Sequence, residues 1–350
     1  MTASSRMFIH NIHDGVFYMY IRFTSSVSIS LLAALALLVG CGDDEGGGGS
    51  AGATSTSSSS TGGDGGGGNG GGGGDGGSDG GGDAGEGGSG GTGGGEDASV
   101  TLRFEGRVGA DVFSCGDTYT LGTASTEVGI SDYRLYIHDV RLHRADGDDV
   151  PVALDQDGLW QFQDLVLLDF EDKTGSCANG TEPTNGEVRG TVPRGTYDGL
   201  SFKLGVPFAL NHADVAAAPS PLNLSGLFWS WESGYKFARI DTVPPEGSEP
   251  FFLHLGSTGC AAGEDGAVTE CDRPNVAEVV LTGFDPLTTT VLVDFAAIVA
   301  ASDLSTDGGG APGCMSGTED PECAAIFERL GIDIADGTLH PEAQELFRVE

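Results

Sequence analysis

Positive charge is what this chain has least of. Lys and Arg together number 16 against 52 Asp and Glu, which gives a formal net charge of -36 over 350 residues. A field of that sign repels phosphate backbones and excludes nucleic acid as a partner. It favours cations or a basic partner, and taken alone it means solubility. Metal-ligating and aromatic residues are also sparse: seven Cys, seven His, four Met and three Trp. The signatures of common enzymes are missing. Gly256-Ser257-Thr258-Gly259 is not the strained elbow that presents a nucleophilic serine. No phosphate-cradling loop or dinucleotide fingerprint occurs in the folded part. With no such machinery, the chain is expected not to be an enzyme.

The one long apolar run lies near the N-terminus. "SISLLAALALLVGCGDDE" has the length of a secretory apolar core, too short to span a bilayer comfortably, and it ends in Leu38-Val39-Gly40-Cys41. It resembles a bacterial lipoprotein signal, which implies that residues 1–40 are removed and that Cys41 carries lipid. A start at Met19 would leave a compact signal with Arg22 as its positive end, so His10 and His13 are not counted as ligands. Residues 41–98 then form a lipidated cysteine and a Gly/Ser/Asp-rich tether that cannot bury apolar surface. The expected location is the cell envelope, lipid-anchored on the periplasmic side or at the cell surface.

Residues 99–350 have the composition of a folded domain, long enough for one sizeable core. "VTLRFEGRV" alternates Val100, Leu102 and Phe104 with polar neighbours. "YRLYIHDVRLHRADGDDVPVAL" reads as two strands around an acidic glycine turn, and "LVLLDF", "YDGLSFKLGV", "YKFARID", "FFLHLG", "VAEVVLTGF" and "TTTVLVDF" are further short strands. "PECAAIFERLGI" is the one convincing helix. Many strands without a βαβ rhythm predict an all-β fold, an antiparallel β-sandwich or barrel-like domain with a short C-terminal helix. "DQDGLWQFQD" imitates the start of a calcium loop but lacks the later acidic ligand, so it reads as a hairpin turn. Six cysteines remain beyond Cys41, an even number that implies disulfides in an exported protein. Cys260 with Cys271, Cys314 with Cys323, and Cys115 with Cys177 is the simplest pairing among the several that sequence permits.

Five histidines lie in the domain: His138, His143, His212, His254 and His340. His143 and His340 read as surface residues. His138 shares a strand face with Arg134 and Tyr136, His212 precedes a loop, and His254 stands at a strand end near a cysteine. Trp229 and Trp231, at i and i+2, would share one strand face.

The blocks "LGVPFALNHADVAAAPSPLNLSGLFWSWESGYKFARID" and "FFLHLGSTGC" resemble the MbnP-like family, most specifically at W-x-W-x-x-G-Y-K-F. "DYRLYIHDVRL", "ALDQDGLWQ", "LLDFEDKTGSCANGT" and "CDRPNVAEVVL" extend the resemblance over most of residues 100–330. The resemblance implies an exported protein that binds a single copper ion, expected as Cu(I), and takes part in copper homeostasis. It implies a partner enzyme of the diheme MauG and cytochrome c peroxidase type, which oxidises the first Trp of W-x-W to kynurenine. The matching position is Trp229, with Trp231 as its supporting neighbour. The expected ligands are modified Trp229, His254, His212 and His138, with Met315 as a remote soft candidate. A second reading keeps Trp229 and Trp231 as a stacking platform on a non-metal surface module that binds carbohydrate or protein.

Overall fold

Val100, Leu102 and Phe104 all turn into the core from the first strand, as their alternation predicts. The structure is a computed structural model that describes residues 97–178, 180–230 and 232–350, all within one unit, Gly85–Glu350. The leader, Cys41, nearly all of the tether and Trp231 lie outside the described residues.

Two sheets share one apolar core. The smaller has six strands. It is centred on β1 (Asp97–Val108). The larger has ten and is centred on β2 (Thr126–Arg144). β2 pairs with β3 (Leu165–Asp169). Back in the smaller sheet, β4 (Glu187–Pro193) runs antiparallel to β1. β5 (Tyr197–Leu204), β6 (Ala238–Val243) and β7 (Phe252–Leu255) return to the larger one. β8 (Ala277–Thr282) closes one edge of that sheet beside β5. β9 (Thr290–Asp294) lies parallel to β1, and β10 (Gly313–Cys314) lies parallel to β7 at the opposite edge. The path across the larger sheet is therefore β8, β5, β2, β6, β7, β10.

The layers meet through aromatic contacts and inter-sheet hydrogen bonds. Phe104 of β1 meets Phe202 of β5 edge-on at 5.7 Å. The Tyr133 hydroxyl on β2 donates to the Val293 carbonyl of β9 at 2.6 Å. The all-β sandwich and the short helix α1 (Cys323–Arg329) agree with the sequence reading. The two parallel pairs do not follow from alternation, because a period of two fixes which face a side chain takes and leaves strand direction open. "DQDGLWQFQD" forms a turn in which Asp157 Oδ1 accepts the backbone N–H groups of Leu159, Trp160 and Gln161. A side chain so occupied caps its own turn.

All three disulfides follow the simplest pairing: Cys115–Cys177, Cys260–Cys271 and Cys314–Cys323. Cys115–Cys177 is buried and closes a sequence separation of 62 residues. Replacing both by serine is expected to lower stability by about 2–4 kcal/mol in urea unfolding. An unchanged unfolding midpoint would contradict that role.

Candidate metal centre

β2, β6 and β7 lie side by side, and register sets Arg134 against Arg239 and Arg239 against His254. Leu135, Ala238, Leu253 and Leu255 fill the buried inner face of these strands. Arg134, Arg239 and His254 alternate with them and therefore take the outer face. That face is roofed by the chain between β5 and β6. The Tyr136 hydroxyl of β2 donates to the Pro221 carbonyl at 2.8 Å, and the Tyr235 hydroxyl donates to Leu222 at 2.5 Å. The Gly226 carbonyl accepts from Lys236 at 3.2 Å and from Arg239 at 3.0 Å. A polar row on the outer face of a sheet is thus buried under a loop.

His254 is 6 % exposed, and its Nε2 lies 2.7 Å from Asp241 Oδ1. Burial opposes charge on Asp241, but the hydrogen bond and charge of His254 and the Arg239 guanidinium outweigh it. They hold this carboxyl below the ordinary carboxylate range. An ionised carboxylate only accepts, so Nε2 carries the proton. Burial lowers the His254 pKa despite the opposing pull of Asp241, which keeps the ring neutral at pH 7. A neutral ring protonated at Nε2 is bare at Nδ1. His254 Nδ1 is buried and has no hydrogen-bond partner. Native structures seldom leave such an atom unpaired unless something else binds it. This is the arrangement of a metal-ligating histidine whose second nitrogen is fixed by a carboxylate.

The carboxylate is itself held in a charged row. Arg239 bonds Asp241 through Nε at 2.8 Å and Nη2 at 2.6 Å, and its Nη1 reaches Asp132 at 3.2 Å. Asp132 pairs with buried Arg134, which lies 3.8 Å from Glu171. Asp169, beside this row, is pushed up to about 8 by burial, against the pull of Arg134. The row anchors Asp241, and through it the plane of the His254 ring.

Trp229 borders this histidine. Its ring centroid lies 6.2 Å from that of His254, and Phe252 stacks on the histidine at 5.7 Å. Phe228 pairs with Tyr235 and Ser230 with Gly234, so Trp229 is the extra residue of a bulge. Simple alternation therefore does not fix its direction. Gly256 lies against the six-membered ring: a Cβ there would stand 2.5 Å from Trp229 Cζ3 and 2.8 Å from the Tyr235 carbonyl. Leu253 of β7 pairs in parallel with Cys314 of β10, and Met315 is the first residue beyond that pairing. The next residue confirms the approach. Ser316 Oγ donates to the His254 carbonyl at 2.9 Å and accepts from the Gly256 N–H at 3.0 Å. A half-buried tryptophan and a histidine with a bare buried nitrogen thus adjoin, and the chain that follows Cys314 reaches the same histidine through Ser316.

The family model that matches this chain is MbnP, over residues 97–316, a span that includes Trp229, His254 and Met315. Among solved structures, MbnP from Methylosinus trichosporium is similar with a TM-score of 0.65 and 32 % identity, over 73 % of this chain and 98 % of that one. The chain belongs to the MbnP family. No curated protein matches it.

Within this MbnP-family domain, and among the described residues, the three expected histidines do not gather within 4.8 Å of one another. Trp229 and His254 adjoin. His212 lies beside the Cys260–Cys271 disulfide, its Nε2 3.6 Å from Cys271 Sγ. Those sulfurs are bonded to each other and are not thiolates. His138 is buried on β2 with Nδ1 2.9 Å from the Gly205 carbonyl, and it lines a cavity with Lys203, Asn275 and Glu278. Both have local partners that account for their positions. Met315 had a usable signal, because it is the only methionine beyond residue 19. Asp241 had none, since carboxylates are everywhere in so acidic a chain.

Gly256→Ala is expected to displace Trp229 and to lower stability by roughly 1–3 kcal/mol. Thermal unfolding with tryptophan fluorescence reads both effects. An unshifted spectrum and midpoint would show that Trp229 does not rest on Gly256.

Proposed function

We propose that this MbnP-family chain binds one copper ion, held as Cu(I) by His254 Nδ1 and Met315, in a site completed by a kynurenine derived from Trp229. The observation that carries the reading is the buried, bare Nδ1 of His254 beside Trp229. Neutral imidazole and thioether donors suit soft Cu(I) and disfavour hard cations. Lys236 and Arg239 lie close enough to depress the His254 pKa, and their positive charge further favours a singly charged metal. Bound there, copper is carried or stored, and no turnover by this chain is required.

Indole offers an N–H donor and no in-plane lone pair, so unmodified Trp229 is a poor ligand. Cleavage of the indole C2–C3 bond by two equivalents of peroxide, used by the partner enzyme, with C2 lost as formate and one water released, leaves an aryl amine and a ketone at C3. The half-buried position of Trp229 gives a diheme partner of the peroxidase type a face to oxidise. The resemblance of W-x-W-x-x-G-Y-K-F to the family motif supports that modification. Lipidation at Cys41 would hold the domain at the cell envelope by the long tether.

Two sets of measurements test this. In protein isolated from cells that also express the diheme enzyme, the Trp229 peptide should gain one oxygen and lose one carbon by mass spectrometry, with copper present. Unmodified Trp229 and no copper under those conditions would refute the reading. His254→Ala, Met315→Ala and Trp229→Phe should each weaken copper binding roughly a hundredfold or more, beyond the usual effect of losing a supporting residue. Far-ultraviolet circular dichroism should stay unchanged. His138→Ala should keep full affinity, and an equal loss there would return His138 to the ligand set.

A further inference from the structure

The hairpin of Thr258–Ala262 with Val268–Arg273 carries the third disulfide in the open. Cys260 and Cys271 face each other across its ladder, and both are half-exposed. Cys115, Cys177, Cys314 and Cys323 are all buried. Thiol–disulfide exchange needs an attacking thiolate to reach a sulfur, so access singles out Cys260–Cys271 for reduction. The rest of the hairpin does not depend on the bond. Thr258 pairs with Arg273 and Ala261 with Glu270, and Asn275 Nδ2 ties the base to the Gly256 carbonyl at 2.8 Å.

A histidine stands beside these sulfurs. One ring nitrogen of His212 and the two sulfurs lie within 4.8 Å of one another. Asn211 fixes the character of that nitrogen. Its Oδ1 accepts the Tyr235 N–H at 2.8 Å, so its amide Nδ2 faces His212 Nε2 at 3.2 Å and Ser257 Oγ at 3.3 Å. An amide N–H₂ can only donate, so Nε2 is the unprotonated nitrogen. The same nitrogen lies 3.6 Å from Cys271 Sγ. Bonds of about 2.0 Å to imidazole and about 2.3 Å to thiolate, at trigonal or tetrahedral angles, require N···S separations of about 3.5–3.7 Å.

We propose that Cys260, Cys271 and His212 form a second soft-metal site that opens when their disulfide is reduced. The reductant is a dithiol. Its thiolate attacks one sulfur of the cystine, and its second thiol displaces the mixed disulfide. Two electrons and two protons pass to Cys260 and Cys271, and the dithiol leaves as its own disulfide. Binding of Cu(I) or Zn²⁺ then expels the two thiol protons, which leaves two thiolates and a neutral imidazole as donors. The metal replaces the Asn211 hydrogen bond to His212 and leaves those to Tyr235 and Ser257 in place. None of these three residues belongs to the site proposed at His254, so the two proposals stand or fall separately.

The test uses the whole exported chain. Brief treatment with dithiothreitol under native conditions, followed by anaerobic desalting, precedes two readouts. Alkylation with peptide mapping should label Cys260 and Cys271 and leave the four buried cysteines unlabelled. Titration with Cu(I) against a chromophoric Cu(I) chelator should show one equivalent more than the untreated protein binds. Cys260→Ser with Cys271→Ser should remove that equivalent. His212→Ala should weaken it roughly tenfold or more, with alkylation unchanged. A disulfide that resists the dithiol, labelling that falls on the buried cysteines, no added equivalent, or full affinity in His212→Ala would each overturn the site.

Discussion

The hydrogen bond between Asp241 and His254 is the constraint on which the site depends. It does three things at once. It assigns the ring proton to Nε2, it fixes the ring plane, and it leaves Nδ1 without a partner in a region closed to water. A buried polar atom without a partner costs about 1–3 kcal/mol, so its persistence calls for a ligand. The rest of the outer face serves to hold this pair. Arg239 bonds Asp241, Asp132 bonds Arg239, and Arg134 bonds Asp132, so the carboxylate is locked by charges that are themselves paired. Removal of any one member leaves an uncompensated charge under the loop, which is why such rows are rigid once formed.

The roof matters as much as the floor. The segment between β5 and β6 is pinned by hydroxyls of Tyr136 and Tyr235 and by cations that share the Gly226 carbonyl. It brings Trp229 down onto Gly256, where no side chain other than hydrogen fits. Ser316 ties the edge chain to the same place by bridging His254 and Gly256, and the Cys314–Cys323 disulfide anchors that chain to α1. Rigid strands, a close glycine and a disulfide loop therefore hold the tryptophan and the imidazole in one neighbourhood. The hairpin that begins just beyond Gly256 then carries the separate group of His212 and the exposed cystine.

Much of this was legible in the residues. Alternation at Val100, Leu102 and Phe104 gave the inner face, and an even cysteine count with short loops gave the disulfides. The family motif marked Trp229, and the scarcity of histidine drew attention to His254. Other parts were hidden for physical reasons. The bulge at Trp229 interrupts the period of two from which the face of a strand residue is read. The chain around Met315 approaches His254 only through a parallel pairing between strands far apart in sequence, which no local pattern encodes. His138 and His212 matched the chemistry of a ligand but have their own partners in Gly205 and Asn211. Asp241 could not be told from dozens of other acids until the fold placed it against an imidazole.

The tautomer of His254 is the most direct test of that central constraint. Long-range proton–nitrogen correlation spectra of the ¹⁵N-labelled, copper-free protein at neutral pH should show His254 protonated at Nε2 and bare at Nδ1. Addition of Cu(I) should then move the Nδ1 resonance strongly while Nε2 keeps its proton. A ring protonated at Nδ1, a doubly protonated ring, or an Nδ1 signal indifferent to Cu(I) would contradict the assignment of this nitrogen as the metal-binding atom.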